Sequence, residues 1–433
     1  MEYNVAALIC IISMLALLIV GVPIVYSLGV SSLVMGFLVF GQNCLTKLGW
    51  ITFQSLYNFT WTPLPLFVLM ACVITETRIG EDIYVLARKW FSRIPGGLIS
   101  GSILGEAAIA ATVGVSGAAI LTVGKIADSE FKKYSYDRGF ALGGLLCGGI
   151  LGPLIPPSAP LIIYGITSNT SVGHLLIAGI VPGILLAVML AIVPTIMCAR
   201  NPKLGPSAGS VKWSERFSAM KYIWPIVVIF LAMMGSIYAG IATPSEAAGI
   251  GGLIIIILAF AFYGLRLKKF GGAIVEAAQI NAMMLFIVVI ANFFTYVVGS
   301  SSLAKELGIL IASFNIPPIV VIILIMIFLL ILGCFLEAIS IVLLTVPIFV
   351  PLITGLGYDP VWFGVLFVVN TEMGLITPPM GINLFYVRTI FDIKTGDLLR
   401  GIVPYFIVIL LFLLIIVAFP EISLWLPSTM SAS

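Results

Sequence analysis

The sequence contains a single histidine, His174, among its 433 residues. One imidazole removes triads built on histidine, His-rich metal centres and the usual proton relays. Cysteines are few and solitary, at positions 10, 44, 72, 147, 198 and 334 with no CxxC pair, so neither a disulfide framework nor a zinc site is expected. Charge is scarcer still, at 9% of residues against about 25% in an ordinary soluble domain. The 21 Lys and Arg residues face 18 Asp and Glu, and no stretch gathers the basic ones into the dense face that nucleic acid requires. The first 20 residues lack a basic leader and a small-residue cleavage site, so they are expected to be a membrane helix and not a removable signal peptide.

What is abundant is apolar length. Hydrophobic residues make up 61% of the chain, in runs of about 20 that can cross a ~30 Å hydrocarbon layer as helix. Hydropathy predicts spans at 4–20, 22–41, 56–77, 139–167, 173–198, 222–240, 243–264, 279–299, 361–388 and 401–420. Two further apolar stretches, 96–129 and 316–353, are interrupted by VGVSGAA and LGCFLEAIS. Each reads as a re-entrant hairpin, a form tolerated at membrane depth only where protein or a wet cavity surrounds it. The expectation is an all-α polytopic membrane protein with ten crossings and two hairpins.

Retained Lys and Arg concentrate on the cytoplasmic side of a membrane, which tests this count. With the amino terminus outside, the cytoplasmic segments are 78–93, 125–138, 200–221, 266–269 and 388–400, and they hold 19 of the 21 basic residues. Only Lys47 and Lys305 fall elsewhere. Both termini are therefore predicted on the outer face.

The chain also repeats itself. GIVP at 179–182 recurs at 401–404 and the Pro-Pro at 156–157 recurs at 378–379, both at a shift of 222. Pro23 answers Pro244, and LTV at 121–123 answers 344–346, at nearly the same shift. Two units follow, 1–210 and 211–433, each with five crossings, a hairpin (96–129; 316–353) and a broken helix (139–167; 361–388). An odd number of crossings inverts the second unit relative to the first, the architecture of secondary transporters with a site at the bilayer midplane. Between third crossing and hairpin, 81–94 and 302–314 read as amphipathic helices lying along the interface.

Chemistry is expected at the breaks and the tips. Proline has no N–H and disrupts the preceding turn, so LGPLIPPSAPLIIYG (151–165) and GLITPPMGINLFYV (374–387) free main-chain groups in mid-membrane. Freed carbonyls with a hydroxyl suit Na⁺, and the N–H groups that open a half-helix suit a carboxylate. Ser158 and Thr377 adjoin the breaks and Asn383 lies one turn on. The tips present Thr112, Gly114, Ser116 and Gly117 in one unit and Gly333, Glu337 and Ser340 in the other; Thr112 reads as a packing residue. Four carboxylates lie in or near apolar spans. Glu337 and Glu372 are assigned to cation binding or to steadying the broken helix, Glu246 to an interfacial helix cap, and Glu106 to no role. No Lys or Arg stands at mid-membrane, so an anionic solute must draw on helix dipoles, hydroxyls and co-bound cations.

IPPSAPLIIYG, YDRGFALGG, TPSEAAG, LGCFLEAISIVLLTVPIFVPL and NTEMGLITPPMGINLF together resemble the large membrane subunit of TRAP transporters, the tripartite ATP-independent periplasmic carriers. The wording of the last two motifs is nearer the dicarboxylate type. The resemblance covers essentially the whole chain. It implies an elevator-type fold in a bacterial inner membrane, Na⁺ symport of a small organic acid, a small four-helix membrane subunit and a periplasmic solute-binding protein as partners, and no organic cofactor. It carries cation binding to Ser116, Gly117, Pro156, Gly333, Glu337, Thr377 and Gly381, with Ser158 beside them. Ser158, Ser340, Asn383 and Glu372 are assigned to the solute. The first tip departs from the family pattern, because VGVSGAAILT has no acid where the family places one after its Ser-Gly-Ser. The alternative is a cation/proton antiporter or other ion-coupled carrier working without a binding protein; an antiporter should show paired acids or a Lys-Asp couple at the crossing point, and the sequence shows neither there.

Overall fold

The computed structural model describes residues 3–20, 22–114, 116–300 and 317–430. The amphipathic segment read at 302–314 lies outside them. Among the described residues every regular element is helical, and six helices of the first half have counterparts at matching positions in the second. In the first half these are α1 (Tyr3–Ile19), α2 (Ile24–Phe40), α3 (Asn43–Leu56), α4 (Pro63–Thr75), α5 (Ile79–Phe91), α6 (Gly97–Val113), α7 (Ser116–Lys133), α8 (Arg138–Gly148), α9 (Leu151–Leu154), α10 (Ala159–Ser168), α11 (Val172–Ala178) and α12 (Ile180–Arg200). A short connecting helix, α13 (Trp213–Ala219), leads into α14 (Trp224–Tyr238), α15 (Pro244–Ala261), α16 (Leu267–Gly299), α17 (Pro318–Gly333), α18 (Ala338–Gly355), α19 (Pro360–Leu375), α20 (Ile382–Ile390), α21 (Thr395–Ala418) and α22 (Glu421–Ser428).

The starts of α1 and α14, α2 and α15, α6 and α17, α7 and α18, α8 and α19, and α10 and α20 lie 220–223 residues apart. α6–α7 and α17–α18 are the two hairpins. α8–α10 and α19–α20 are the two broken helices, each interrupted at its Pro-Pro, and both Pro-Pro bonds are cis.

Side chains set the ends of these elements. Asp137 accepts from the Phe140 N–H at 2.8 Å to start α8, and Asp359 accepts from Val361 N–H at 2.7 Å to start α19. Thr243 and Glu246 form a reciprocal capping box at α15, the cap role read for Glu246. Proline in the first turn of α4, α15, α17 and α19 uses a position where no N–H is needed.

The halves differ at the third crossing. α3 and α4 meet at a bend of 53°, whereas the matching α16 is one 33-residue helix. The cause is local: Asn58 is extended, its side chain accepts from Thr60 N–H at 3.0 Å, and Pro63 and Pro65 follow. The equivalent stretch of α16, QINAMMLF, has no proline and runs straight on.

Several expected boundaries are corrected. The third span, read as 56–77, is α4 alone, and the outer loop before it is the helix α3. α16 begins at Leu267 and not near 279, α7 continues to Lys133 beyond 129, and α13 occupies part of the loop 200–221. The common reason is amphipathicity: Lys47 and Gln54 in α3, Lys268, Lys269 and Glu276 in α16, and Asp128 to Lys133 in α7 break the continuous apolar run that hydropathy detects. By length and composition, five described helical stretches could each cross a membrane, or up to eight spans if the three bent pairs each count as one. One of the five is the hairpin arm α18, and α1, α2 and α19 fall just short of the length, which is how the ten-crossing reading differs from that count.

Close backbone contact ties the halves together. A Cβ on Gly143 of α8 would stand 2.7 Å from the Gly401 carbonyl carbon of α21, and one on Gly139 would stand 2.5 Å from the Asp397 oxygen. Small residues permit this approach where lipid supplies no hydrophobic drive between helices.

Candidate functional site

Both hairpin tips and both helix breaks open on one cavity of about 480 Å³. Each tip rests on the break of its own half. Gly114 has φ 69° and lies so close to the Pro157 carbonyl that no side chain fits there. In the other half the Gly381 N–H donates to the Cys334 carbonyl at 3.0 Å, and Gly381 itself has φ 52°.

Four helices begin at this cavity. Their first-turn residues line it: Ser116 and Gly117 of α7, Ala159 and Pro160 of α10, Ala338 and Ile339 of α18, and Ile382 and Asn383 of α20. The first amides of a helix have no partner within it, and its dipole is positive at that end, so four converging N-termini make a site for negative charge built from main chain. Among the described residues no Lys or Arg lines the cavity, while Glu337 and Glu372 both do. Glu372 is 1% exposed and its Oε2 has no hydrogen-bond partner, whereas Glu337 is exposed at the start of α18. Though 35 positions apart in sequence, Glu337 of a tip and Glu372 of a broken helix are brought to one cavity by the fold.

The residues singled out in sequence divide into two groups. Ser116, Gly117, Glu337, Glu372 and Asn383 come together around the cavity. Pro156, Ser158, Gly333, Ser340, Thr377 and Gly381 do not line it. Ser158 is the N-cap of α10: its hydroxyl donates to the Pro153 carbonyl and accepts from Leu161 N–H at 3.2 Å. Thr377 donates to the Met373 carbonyl at 2.6 Å. Gly333 packs on α19, where a Cβ would meet Gly374 Cα at 2.8 Å. Ser340 is buried further along α18. The two breaks also differ in exposure: Pro156 and Pro157 are sealed, whereas Pro378 to Met380 are exposed.

Sequence reasoning passed over Pro153, Leu121, Met283 and Tyr386, which also line the cavity. Pro153 carried a signal, being a third proline beside the first break; the other three are ordinary apolar helix residues. Thr112 donates to its own helix at the Ile109 carbonyl, 2.7 Å away, in keeping with a packing role. Glu106 is fully buried against Gly148 with both carboxyl oxygens unpartnered, away from the cavity.

Among the described residues no three His, Cys, Asp or Glu side chains converge as transition-metal ligands would. The donors at the cavity, two carboxylates with hydroxyl and amide oxygens, are those of a hard cation.

A family model, the DctM component of the tripartite ATP-independent periplasmic transporter, matches residues 11–422. The chain belongs to this family. It is 32% identical over 409 residues to the C4-dicarboxylate TRAP transporter large permease protein DctM of Pseudomonas aeruginosa, covering 94% of this chain and 95% of that one. It is 31% identical over 420 residues to the sialic acid TRAP transporter large permease protein SiaM of Vibrio cholerae, covering 95% and 96%. The ectoine TRAP transporter large permease protein TeaC of Halomonas elongata is 29% identical over 424 residues, covering 96% and 98%. Among solved structures, the YdaH transporter of Alcanivorax borkumensis superposes with a TM-score of 0.65 at 14% identity, over 88% of this chain and 89% of that one. That likeness is one of fold. The chain is thus a multi-pass membrane protein, the large permease subunit of a TRAP transporter.

Proposed function

We propose that this subunit imports a small organic acid together with Na⁺, by an elevator motion of the two hairpins and two broken helices against the remaining helices. The carrying observation is the single cavity where four helix N-termini meet two glutamates and no Lys or Arg. The amides suit the carboxylate of the solute, while Glu337 and Glu372 add negative charge that must itself be balanced. Co-bound Na⁺ does both jobs, neutralising the glutamates and the incoming anion in a medium where an unpaired ion costs several kcal/mol or more. Relatives named for C4-dicarboxylates and for sialic acid support an organic acid as the cargo, and the LGCFLEAIS and NTEMGLITPPMGINLF wording supports a dicarboxylate.

The partners of this reading are a small four-helix membrane subunit and a periplasmic binding protein that hands over the solute. The bacterial inner membrane is the site, with both termini periplasmic. Leu121, Met283 and Tyr386 form the exposed side of the cavity. α7 and α20 run from it toward the basic loops, so the cavity faces the cytoplasm.

The acidic pair also fits a proton-exchanging carrier. One experiment separates the two. Proteoliposomes holding this chain, its small subunit and the purified binding protein should accumulate solute only under an inward Na⁺ gradient. Uptake that persists when K⁺ replaces Na⁺, and that follows a pH gradient instead, would overturn sodium coupling.

A further inference from the structure

Lys47 is one of two basic residues that the cytoplasmic bias leaves out. It stands on α3, where its Nζ donates to the Tyr296 hydroxyl at 2.6 Å and lies 4.7 Å and 5.0 Å from the ring centroids of Phe40 and Tyr296. Among the described residues it has no carboxylate partner. This half-buried ammonium is held by a phenol and two ring faces, with no described carboxylate to compensate its charge.

Beside it is a second cavity, of about 440 Å³, at the opposite end of the broken helix α10 from the first. Trp50 and Trp61 supply flat apolar walls, Gln54, Asn58 and Asn292 supply amides, and Tyr296 brings the hydroxyl that Lys47 holds. Asn292 Nδ2 donates to Ser55 Oγ at 2.9 Å, which fixes α16 to α3 at this point. Among the described residues no acidic one lines the cavity. Lys47, Ile51 and Gln54 recur three and four residues apart, so one face of α3 presents both the cation and the cavity wall.

We propose that this cavity is an outer anteroom that takes the carboxylate of the arriving solute. Trp50 and Trp61 stack on its carbon skeleton, the Tyr296 hydroxyl donates to the anion, and Lys47 is a positioning residue acting through Tyr296. The proposal deepens the reading of the chain as an organic-acid importer with α3 outside, and rests on it for the solute class and the side. The ligand is identified by its chemistry, a small carboxylate of a size to fit between two indoles.

The test needs neither partner subunits nor an ion gradient, so it stands apart from the uptake experiment. The purified chain in phosphatidylcholine nanodiscs is titrated with iodide and with caesium as quenchers of tryptophan fluorescence. The Trp50→Phe/Trp61→Phe variant identifies the share of emission that comes from the cavity. That share should be quenched severalfold more by iodide than by caesium. Lys47→Met should bring the ratio close to that of the remaining tryptophans, Tyr296→Phe should lower it in the same direction with the ring retained, and Lys47→Arg should keep it. Succinate should protect the cavity tryptophans from iodide, and succinamide, its neutral diamide counterpart, should not.

An iodide preference unchanged in Lys47→Met overturns the proposal, as does equal protection by succinamide. Loss of the preference when phosphatidylglycerol replaces phosphatidylcholine would assign the pocket to a lipid headgroup and overturn it too. Sodium-driven uptake with no anion preference here sinks only the anteroom; the preference without such uptake sinks only the transport reading.

Discussion

Asn383 donates from Nδ2 to Ser116 Oγ at 3.0 Å, joining residues 267 positions apart. One begins α20 after the second break and the other begins α7 after the first tip, so the bond couples the two inverted halves at the cavity wall. Both side chains are buried. Ser116 also faces the Glu372 carboxyl, so its hydroxyl links an amide of one element to an acid of another.

Removing either partner should therefore leave a buried polar group unmatched. Asn383→Ala is expected to cost about 1–3 kcal/mol at the site, which is about five- to over a hundredfold in affinity. The half-saturating solute concentration in proteoliposome uptake should rise by that order. Because the two residues share one bond, Ser116→Ala added to Asn383→Ala should cost less than the sum of the single changes. Fully additive losses would show that the contact plays no part in binding.

The two glutamates should separate on sodium. Glu372→Gln keeps size and removes charge, and with its Oε2 unpartnered in the protein it is expected to raise the half-saturating Na⁺ concentration at least tenfold, about 1.4 kcal/mol. Glu337, exposed at the start of α18, should show a smaller rise on the same change. Solute uptake as a function of Na⁺ concentration reads both, and an unaltered Na⁺ curve for Glu372→Gln would remove it from the cation site.

How far the sequence spoke for this site depends on the range of the physics involved. Proline acts on its own turn, so both breaks were legible from Pro156-Pro157 and Pro378-Pro379, and a regular shift of motifs exposed the repeat. The apposition of Glu337 with Glu372, or of Asn383 with Ser116, is long-range and has no local trace. Ser158 was legible in a way the sequence reading did not use. A serine followed within two residues by proline is the signature of a helix start, and its hydroxyl is engaged in that cap. α3 stayed hidden because Lys47 and Gln54 interrupt the apolar run that marks a crossing.

The contact between α8 and α21 should tolerate no side chain. A Cβ on Gly401 would press against the Gly139 carbonyl, and main chain cannot swing aside as a flexible side chain can. Gly401→Ala is expected to destabilise the protein by about 1–3 kcal/mol through overpacking. Thermal unfolding in detergent, followed with a thiol-reactive dye at the buried cysteines, should show a lower midpoint. An unchanged midpoint would mean that the two helices stand further apart than described.

Inversion itself is open to a direct check. α7 and α18 are the returning arms of the two hairpins, and their far ends carry exposed Ser129 and Gly355. Five crossings per half place these ends on opposite faces of the membrane, and an even number would place them on the same face. The six native cysteines are all buried, so a membrane-impermeant maleimide should report chiefly on an introduced thiol. Gly355→Cys should react in intact cells whose outer membrane admits the reagent, and Ser129→Cys only after the inner membrane is opened. Reaction of both from one side would cancel the inverted repeat, and with it the convergence of opposite half-helices that the site requires.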